Sequence, residues 1–185
     1  NSFADIIQLE TDSTTASILQ RDGTVNLADV TQLFTSESSA NVKQQHGPLN
    51  VASITQDYSV AVDASIAQSG ELQSAYITQV DSWIASADIT QAGYDQFADI
   101  QQDIVADDTS AYVTQYGSVN NAWIYQTETV GTLAGIFQEG NTHEATIIQE
   151  IGSYNSASIE QYGSLQLASV FQAYGNYNSA AVMQD

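Results

Sequence analysis

The chain has 185 residues, with 2 Lys or Arg against 22 Asp or Glu, so its formal net charge is −20. Two basic side chains are too few to bind a nucleic-acid backbone or an anionic membrane surface, and no apolar run is long enough to insert in a membrane. The absence of cysteine excludes disulfides, thiolate metal sites and thiol catalysis.

One motif, Ala-x-[Ile/Val]-x-Gln, recurs sixteen times along the chain with no copy missing. The copies begin, in chain order, at Ala4, Ala16, Ala28, Ala40, Ala52, Ala64, Ala75, Ala87, Ala98, Ala111, Ala122, Ala134, Ala145, Ala157, Ala168 and Ala180. Two successive copies span about 23 residues. Because self-similarity at a fixed period is typical of repeat proteins, residues 1–185 are predicted to form a single array of eight units.

Each motif copy is predicted to be a β-strand, because its Ala, Ile/Val and Gln are two residues apart and so share one face of a strand. A strand-turn-strand unit cannot bury that face alone, whereas stacked units can. We therefore expect an all-β solenoid of eight two-strand rungs, in which odd-numbered and even-numbered strands form two facing parallel sheets.

The connections after even-numbered copies carry glycine at a fixed place. Gly70, Gly93, Gly117, Gly140 and Gly163 each lie two residues after a motif Gln, and Gly23 and Gly47 lie three residues after one. This placement predicts turns in which the glycine has a positive φ.

The sixteen motif glutamines are the main candidate functional residues. If they point inward, each amide can donate to the identical side chain of one neighbouring rung and accept from the other, as in an Asn/Gln ladder. The alternative, that they are solvated on the outside, is disfavoured because they share a face with Ile/Val. The predicted ladders contain Gln8, Gln20, Gln32, Gln44, Gln56, Gln68, Gln79, Gln91, Gln102, Gln115, Gln126, Gln138, Gln149, Gln161, Gln172 and Gln184.

The two ends of the array are predicted to be the polymer interface, since the motifs run so close to both ends of the sequence that we expect no cap. The first and last units carry the same inward sequence, so one subunit can template the next, head to tail. Proline at Ile6 or Val182 is expected to block one end each. The predicted interface residues are Ala4, Ile6, Ile18, Val170, Val182 and Gln184.

Residue patterns for catalysis and cofactor binding are sparse. His46 and His143 lie in different units, and His143 has the inward parity of a packed residue. No triad, phosphate-binding loop or metalloprotease motif is found, so we expect neither an enzyme nor a bound cofactor. The acidic residues cluster in connections, where they either keep the surface solvated or bind Ca²⁺ loosely.

The outward positions leave two interpretations open. Trp123, Tyr125 and Ile148 are either ordinary scattered apolar residues or a contact between filaments. Outward threonines motivate an ice-binding face as an alternative function.

The segments Asn120–Gln126, Asn155–Gly163 and Asn178–Gln184, with the pattern Asn-x-Ala-x-[Ile/Val]-x-Gln, resemble the curlin repeat of curli fibre subunits. This resemblance, which extends over the whole chain, implies a β-solenoid that is secreted through an outer-membrane pore and polymerises with itself. It also implies a nucleator subunit as a partner. It also implies a location in cell-surface, amyloid-like fibres of the biofilm matrix.

A structural, self-assembling filament subunit is thus the expected function. A monomeric β-solenoid adhesin or ice-binding module is the alternative. A solenoid enzyme is less favoured, because such enzymes carry catalytic carboxylates on long loops and the connections here are short.

Overall fold

A computed structural model describes residues 2–185 and contains sixteen β-strands. In chain order they are β1 Phe3–Leu9, β2 Thr15–Arg21, β3 Leu27–Leu33, β4 Ser39–Gln45, β5 Val51–Asp57, β6 Asp63–Glu71, β7 Ser74–Val80, β8 Ala85–Tyr94, β9 Phe97–Asp103, β10 Thr109–Ser118, β11 Asn121–Val130, β12 Leu133–Asn141, β13 Glu144–Ser153, β14 Ser156–Ser164, β15 Leu167–Ala173 and β16 Ser179–Gln184.

The strands form two eight-stranded parallel sheets. One has the order β1-β3-β5-β7-β9-β11-β13-β15 and the other the order β2-β4-β6-β8-β10-β12-β14-β16. The register aligns each motif with the next, as in Ala52 opposite Ala75, Ile54 opposite Ile77 and Gln56 opposite Gln79. The predicted β-solenoid of eight two-strand rungs is therefore confirmed.

The core lies between the two sheets and consists of the motif residues. Ala52, Ile54 and Gln56 are all buried, whereas the residues between them are partly exposed. A one-residue slip would move this whole set to the outside, so burial fixes the register. Small alanines leave room for the sheets to approach, and the column of Ile and Val fills the centre.

The two sheets are staggered, since nearly every strand between β1 and β16 faces both the strand before it and the strand after it along the chain. The first strand, β1, and the last, β16, have a facing strand on one side only among the described residues. This explains why β1 is exposed along its whole length whereas the inward residues of β15 are buried.

The corners between strands contain residues with positive φ, and 25 such residues in the described part of the chain are not glycine. Each such residue costs about 1–2 kcal/mol of left-handed strain. The corners nevertheless continue the ladder between rungs: the Phe34 N–H donates to the Leu9 carbonyl at 3.0 Å, and the Tyr58 N–H donates to the Leu33 carbonyl at 3.1 Å. These hydrogen bonds offset part of the strain at every rung.

The glycines after the even-numbered motif copies have φ values from +94° to +150°, as the sequence predicts; they are Gly47, Gly70, Gly93, Gly117, Gly140 and Gly163. The expectation of a positive φ at Gly23 is wrong. Gly23 is required by close approach instead, because a Cβ there would lie 2.4 Å from the carbonyl oxygen of Gly47.

Candidate functional site

Two unbroken glutamine ladders run along the solenoid, one per sheet. Within each, every motif Gln except the one in the last rung donates its Nε2 to the Oε1 of the Gln in the next rung, over distances of 2.7–3.0 Å. The structure thus places all sixteen glutamines on the inward face. Those from Gln32 to Gln172 are buried, and Gln8, Gln20 and Gln184 in the terminal rungs are more exposed.

A second hydrogen bond, which the sequence reasoning missed, ties each ladder to the opposite sheet. Gln115 Nε2 in β10 donates to the carbonyl of Phe97 in β9 at 3.0 Å, and Gln56 Nε2 in β5 donates to the carbonyl of Ser39 in β4 at 3.0 Å. The acceptor in each case is the residue just before a motif Ala. Both amide hydrogens are thereby satisfied, so these buried amides are not left unpaired.

Removing one ladder amide should be costly. Gln115 accepts from Gln91 at 2.8 Å and donates to Gln138 at 2.7 Å. Gln115→Ala leaves both neighbours and the Phe97 carbonyl short of a partner, so we expect a loss of about 1–3 kcal/mol in the free energy of unfolding, measured by urea denaturation. The outward Thr114→Ala should cost under about 0.5 kcal/mol. Equal losses would contradict the inward placement.

The ladders have a direction. Because every Nε2 points toward the higher rung, Gln8 and Gln20 in the first rung have no ladder donor below them among the described residues. At the other end, Gln172 and Gln184 donate across to the carbonyls of Ser156 and Leu167 but have no ladder acceptor above them. One end of the solenoid therefore offers amide oxygens and the other offers amide hydrogens.

The predicted interface residues occupy these two end rungs. Ala4 and Ile6 lie in β1, Ile18 in β2, Val170 in β15, and Val182 and Gln184 in β16. Their exposure differs with the stagger of the sheets. Ile6 is 42% exposed, whereas Val170, which is faced by both β14 and β16, is only 7% exposed.

His143 stands in a second inward column, two residues before the motif Ala, between Asn120 below and Gln166 above. It is 1% exposed, and its backbone N–H donates to Asn120 Oδ1 at 3.1 Å. Neither ring nitrogen has a hydrogen-bond partner within the described part of the chain. The burial of the ring in this inward column supports a packing role.

The acidic side chains do not gather into a metal centre. Within residues 2–185 no group of three or more His, Cys, Asp or Glu side chains is arranged to hold a metal ion. Asp5 and Asp29 are aligned in adjacent rungs of the outer surface, and burial together with the charge of Asp5 raises the pKa of Asp29. The described residues also contain no helix long and apolar enough to cross a membrane.

The outward threonines form two separate rows. Thr31, Thr55 and Thr78 align on one sheet, and Thr90 and Thr114 align on the other. They face opposite sides of the solenoid, so they do not make one continuous surface.

Aromatic side chains cluster on the outer surface of the odd-numbered sheet. The ring centroids of Tyr76 and Phe97 are 5.8 Å apart, and those of Phe97 and Trp123 are 5.5 Å apart. In the register of the sheet, Asp99 lies directly between Tyr76 and Trp123. Burial is the main cause of a raised pKa at Asp99, and a hydrogen bond donated by Gln101 at 3.5 Å partly offsets it.

The raised pKa of Asp99 has a defined effect on stability. Between the ordinary value of 3.8 and the raised value, the folded state binds more protons than the unfolded state, so stability increases as the pH falls through that interval. Asp99→Asn should remove this dependence and, at pH 7, stabilise the fold by a few tenths of a kcal/mol, since solvent screens the partly exposed carboxylate. Urea denaturation at several pH values measures both effects, with Asp103→Asn as the control. A loss of stability at pH 7 would contradict the burial argument.

The sequence of the last strands matches the model of a known protein family. The model of the curlin associated repeat matches residues 133–163 and 155–185, which span β12–β14 and β14–β16. No curated protein matches the chain. The motif of the matched segments continues, in register, through every strand back to β1. Residues 133–185 are therefore similar to the curlin associated repeat, and the same motif in the same register relates the rest of the chain to these matched segments.

Proposed function

We propose that this protein is a structural subunit that assembles head to tail into extracellular, curli-type fibres. The observation that carries the proposal is the complementarity of its two ends. Gln8 and Gln20 offer free amide oxygens at one end, and Gln172 and Gln184 offer amide hydrogens at the other. A second subunit stacked in the same orientation would continue both ladders.

The stagger of the sheets supports the same contact. β1 projects from one end in the odd-numbered sheet, and β16 projects from the other end in the even-numbered sheet. When β1 of a second subunit pairs with β15, it also faces β16, so both projecting strands gain the neighbours that they lack. The inward side chain of Ile6, which is exposed in the single subunit, would be covered by this step.

The contact is heterologous, because two different surfaces meet. Each added subunit is displaced along the solenoid axis relative to the one before it. Such contacts do not close on themselves and give open filaments. Each subunit would extend the filament by eight rungs, roughly 38 Å at the spacing of neighbouring strands.

The extracellular, biofilm-matrix role rests on the curlin-repeat family together with this geometry. A structural role also accounts for the rigid stack of short connections better than catalysis does. The nucleator subunit and the secretion pore are proposed partners on the same basis. A monomeric adhesin or ice-binding module is the competing proposal, since a row of three aligned threonines is present on one sheet.

Sedimentation separates these proposals. The purified chain is incubated at about 0.15 M salt, where the screening length of roughly 8 Å reduces repulsion between acidic subunits. We expect the protein to pellet, unbranched filaments in negative stain, and a fibre diffraction reflection near 4.8 Å along the filament axis. A chain that stays in the supernatant as a folded monomer at all concentrations would overturn the filament proposal and favour the monomeric module.

A further inference from the structure

The outer surface of the odd-numbered sheet carries a carboxylate among aromatic rings, which takes no part in the core or in the contact between the two ends. The Asp99 cluster consists of Tyr76, Phe97, Asp99, Trp123 and Tyr125, contributed by β7, β9 and β11. Because neighbouring strands of a sheet are about 4.8 Å apart, Tyr76 and Trp123 stand roughly 10 Å apart on either side of the shorter Asp99 side chain. The Phe97 ring contacts both of them, so the carboxylate is bordered by three aromatic rings.

The Asp99 carboxylate has no cationic partner in the part of the chain that the structure describes. The sole ion pair found there joins His46 and Asp22, and the only hydrogen bond to Asp99 from a side chain is the long one from Gln101. Arg21 and Lys43 lie in β2 and β4, on the outer surface of the opposite sheet. Burial is the main cause of a raised pKa at Tyr125, and the nearby charge of Asp99 adds to it.

We propose that the Asp99 cluster is a binding site for the guanidinium group of an arginine in a basic peptide segment of a partner protein. The aromatic rings offer faces to a cation, and the carboxylate between them offers two acceptor oxygens. Cation–π contact and a charge-assisted hydrogen bond are thereby available at one place.

Guanidinium fits this site better than ammonium does. It is planar, stacks on aromatic rings and donates two parallel hydrogen bonds to one carboxylate, whereas the lysine ammonium is a compact and more strongly hydrated charge. A partly desolvated carboxylate beside rings therefore selects arginine over lysine.

A basic peptide is favoured as the carrier of this arginine by the charge of the molecule. The net charge of −20 attracts cationic segments over the whole surface. Further carboxylates on the same outer surface, at Asp103 in the same strand and Glu144 two rungs along, would hold additional basic residues of the same segment. The site lies on the side of the solenoid, so it is accessible in the monomer and in the stacked filament alike and does not depend on the proposed assembly.

The test is a binding titration of the 185-residue chain in its monomeric form with fluorescein-labelled nona-arginine, followed by anisotropy at low salt. Asp99→Asn and Asp103→Asn form a matched pair, since each removes one charge from β9, but only Asp99 is bordered by rings. We expect Asp99→Asn to weaken binding about tenfold, as for the loss of a charge-assisted pair. Asp103→Asn should weaken it less than about twofold.

Two further arms test the aromatic part and the choice of cation. Trp123→Leu should weaken nona-arginine binding severalfold while leaving the circular dichroism spectrum unchanged. Nona-lysine should bind the unaltered chain more weakly than nona-arginine and should lose little affinity on Trp123→Leu. Because Asp99→Asn is expected to stabilise the fold, its loss of binding cannot be ascribed to unfolding.

Three outcomes would overturn the proposal. Equal weakening by Asp99→Asn and Asp103→Asn would mean that the peptide binds through net charge alone. No effect of Trp123→Leu would remove the rings from the site. The third outcome has two parts: the chain does not bind nona-arginine, and Asp99→Asn separates filaments that associate side by side. Together they would indicate that Arg21 or Lys43 of a second copy occupies the cluster instead.

Discussion

Replacing Gly117 by alanine is expected to disrupt the solenoid strongly. Gly117 has a φ of +105°, and a Cβ built on it would lie 2.0 Å from the carbonyl oxygen of Gly140 in the next rung. The φ strain costs about 1–3 kcal/mol, and displacing the rung above adds about 1–3 kcal/mol. The loss of unfolding free energy, measured by urea denaturation of the soluble chain, should therefore be about 2–6 kcal/mol.

Gly163 supplies a matched control from the same column. Its φ of +94° is similar, but the nearest atom to a Cβ at this position is the backbone carbon of Asp185 at 4.0 Å. Gly163→Ala should therefore show the φ strain alone, about 1–3 kcal/mol. Equal losses at Gly117 and Gly163 would mean that the corners of successive rungs do not approach as closely as the structure has them.

The glycine column illustrates how far the sequence predicts this fold. The alternation of Ala, Ile/Val and Gln predicts strands, their inward face and their register, because a period of two has only one buried arrangement in a stack. The fixed offset of Gly117 and its counterparts after each motif predicts corners that need positive φ. Both features depend on residue identities that repeat at the same position in every unit.

The other corners could not be predicted in this way, because their residues contradict local preference. Ile84, Ile104 and Val119 all have φ values between +50° and +57°, where β-branched residues are rarely found. Their conformation is imposed by the stack: Ile104 donates its N–H to Val80 in the rung below at 3.1 Å, and Val119 donates to Tyr94 at 3.0 Å. A single unit carries no signal of this, since the compensating bonds come from its neighbours.

The glutamine site is intermediate between these cases. Shared parity with Ile/Val predicts that Gln115 and Gln138 point inward and form a ladder. The hydrogen bond from Gln115 to the Phe97 carbonyl, and the common direction of all the amides, follow from the stagger of the two sheets. That stagger depends on how one sheet sits over the other and is not encoded in the spacing within a strand.

The edges of the terminal strands decide where proline should block growth. Along a parallel strand, N–H groups point alternately toward the two neighbouring strands. The N–H of Phe3 donates to the carbonyl of Asn26 at 2.8 Å, on the side of β3. Ile6 is three residues further along, so its N–H points the other way, to the open edge of β1. Ser156 donates to Asn178 at 2.8 Å, which directs the N–H of Val182 inward to β14. Val182 is therefore the wrong position for a blocking proline, and Ala181, whose N–H points to the open edge of β16, is the right one.

Ile6→Pro and Ala181→Pro should each stop growth at one end of a filament while the solenoid stays folded, because the proline removes an edge N–H that no strand within the subunit accepts. Val182→Pro and Asp5→Pro, which remove N–H groups that pair inside the subunit, should instead lower the free energy of unfolding by about 0.5–1.5 kcal/mol for the lost bond alone. Urea denaturation distinguishes the two pairs, and seeded elongation followed by light scattering measures the growth of filaments.

Mixing the two edge variants gives the sharpest result. Ile6→Pro retains a normal last rung and Ala181→Pro retains a normal first rung, so one molecule of each can join. The resulting dimer exposes only blocked ends, and an equimolar mixture should stop at dimers in analytical ultracentrifugation, whereas each variant alone stays monomeric. Elongation of both variants at the unaltered rate would show that growth does not proceed through the terminal rungs. If dimers form in the mixture but not in either variant by itself, the contact must join a first rung to a last rung. A contact between two first rungs or two last rungs would also form within one variant.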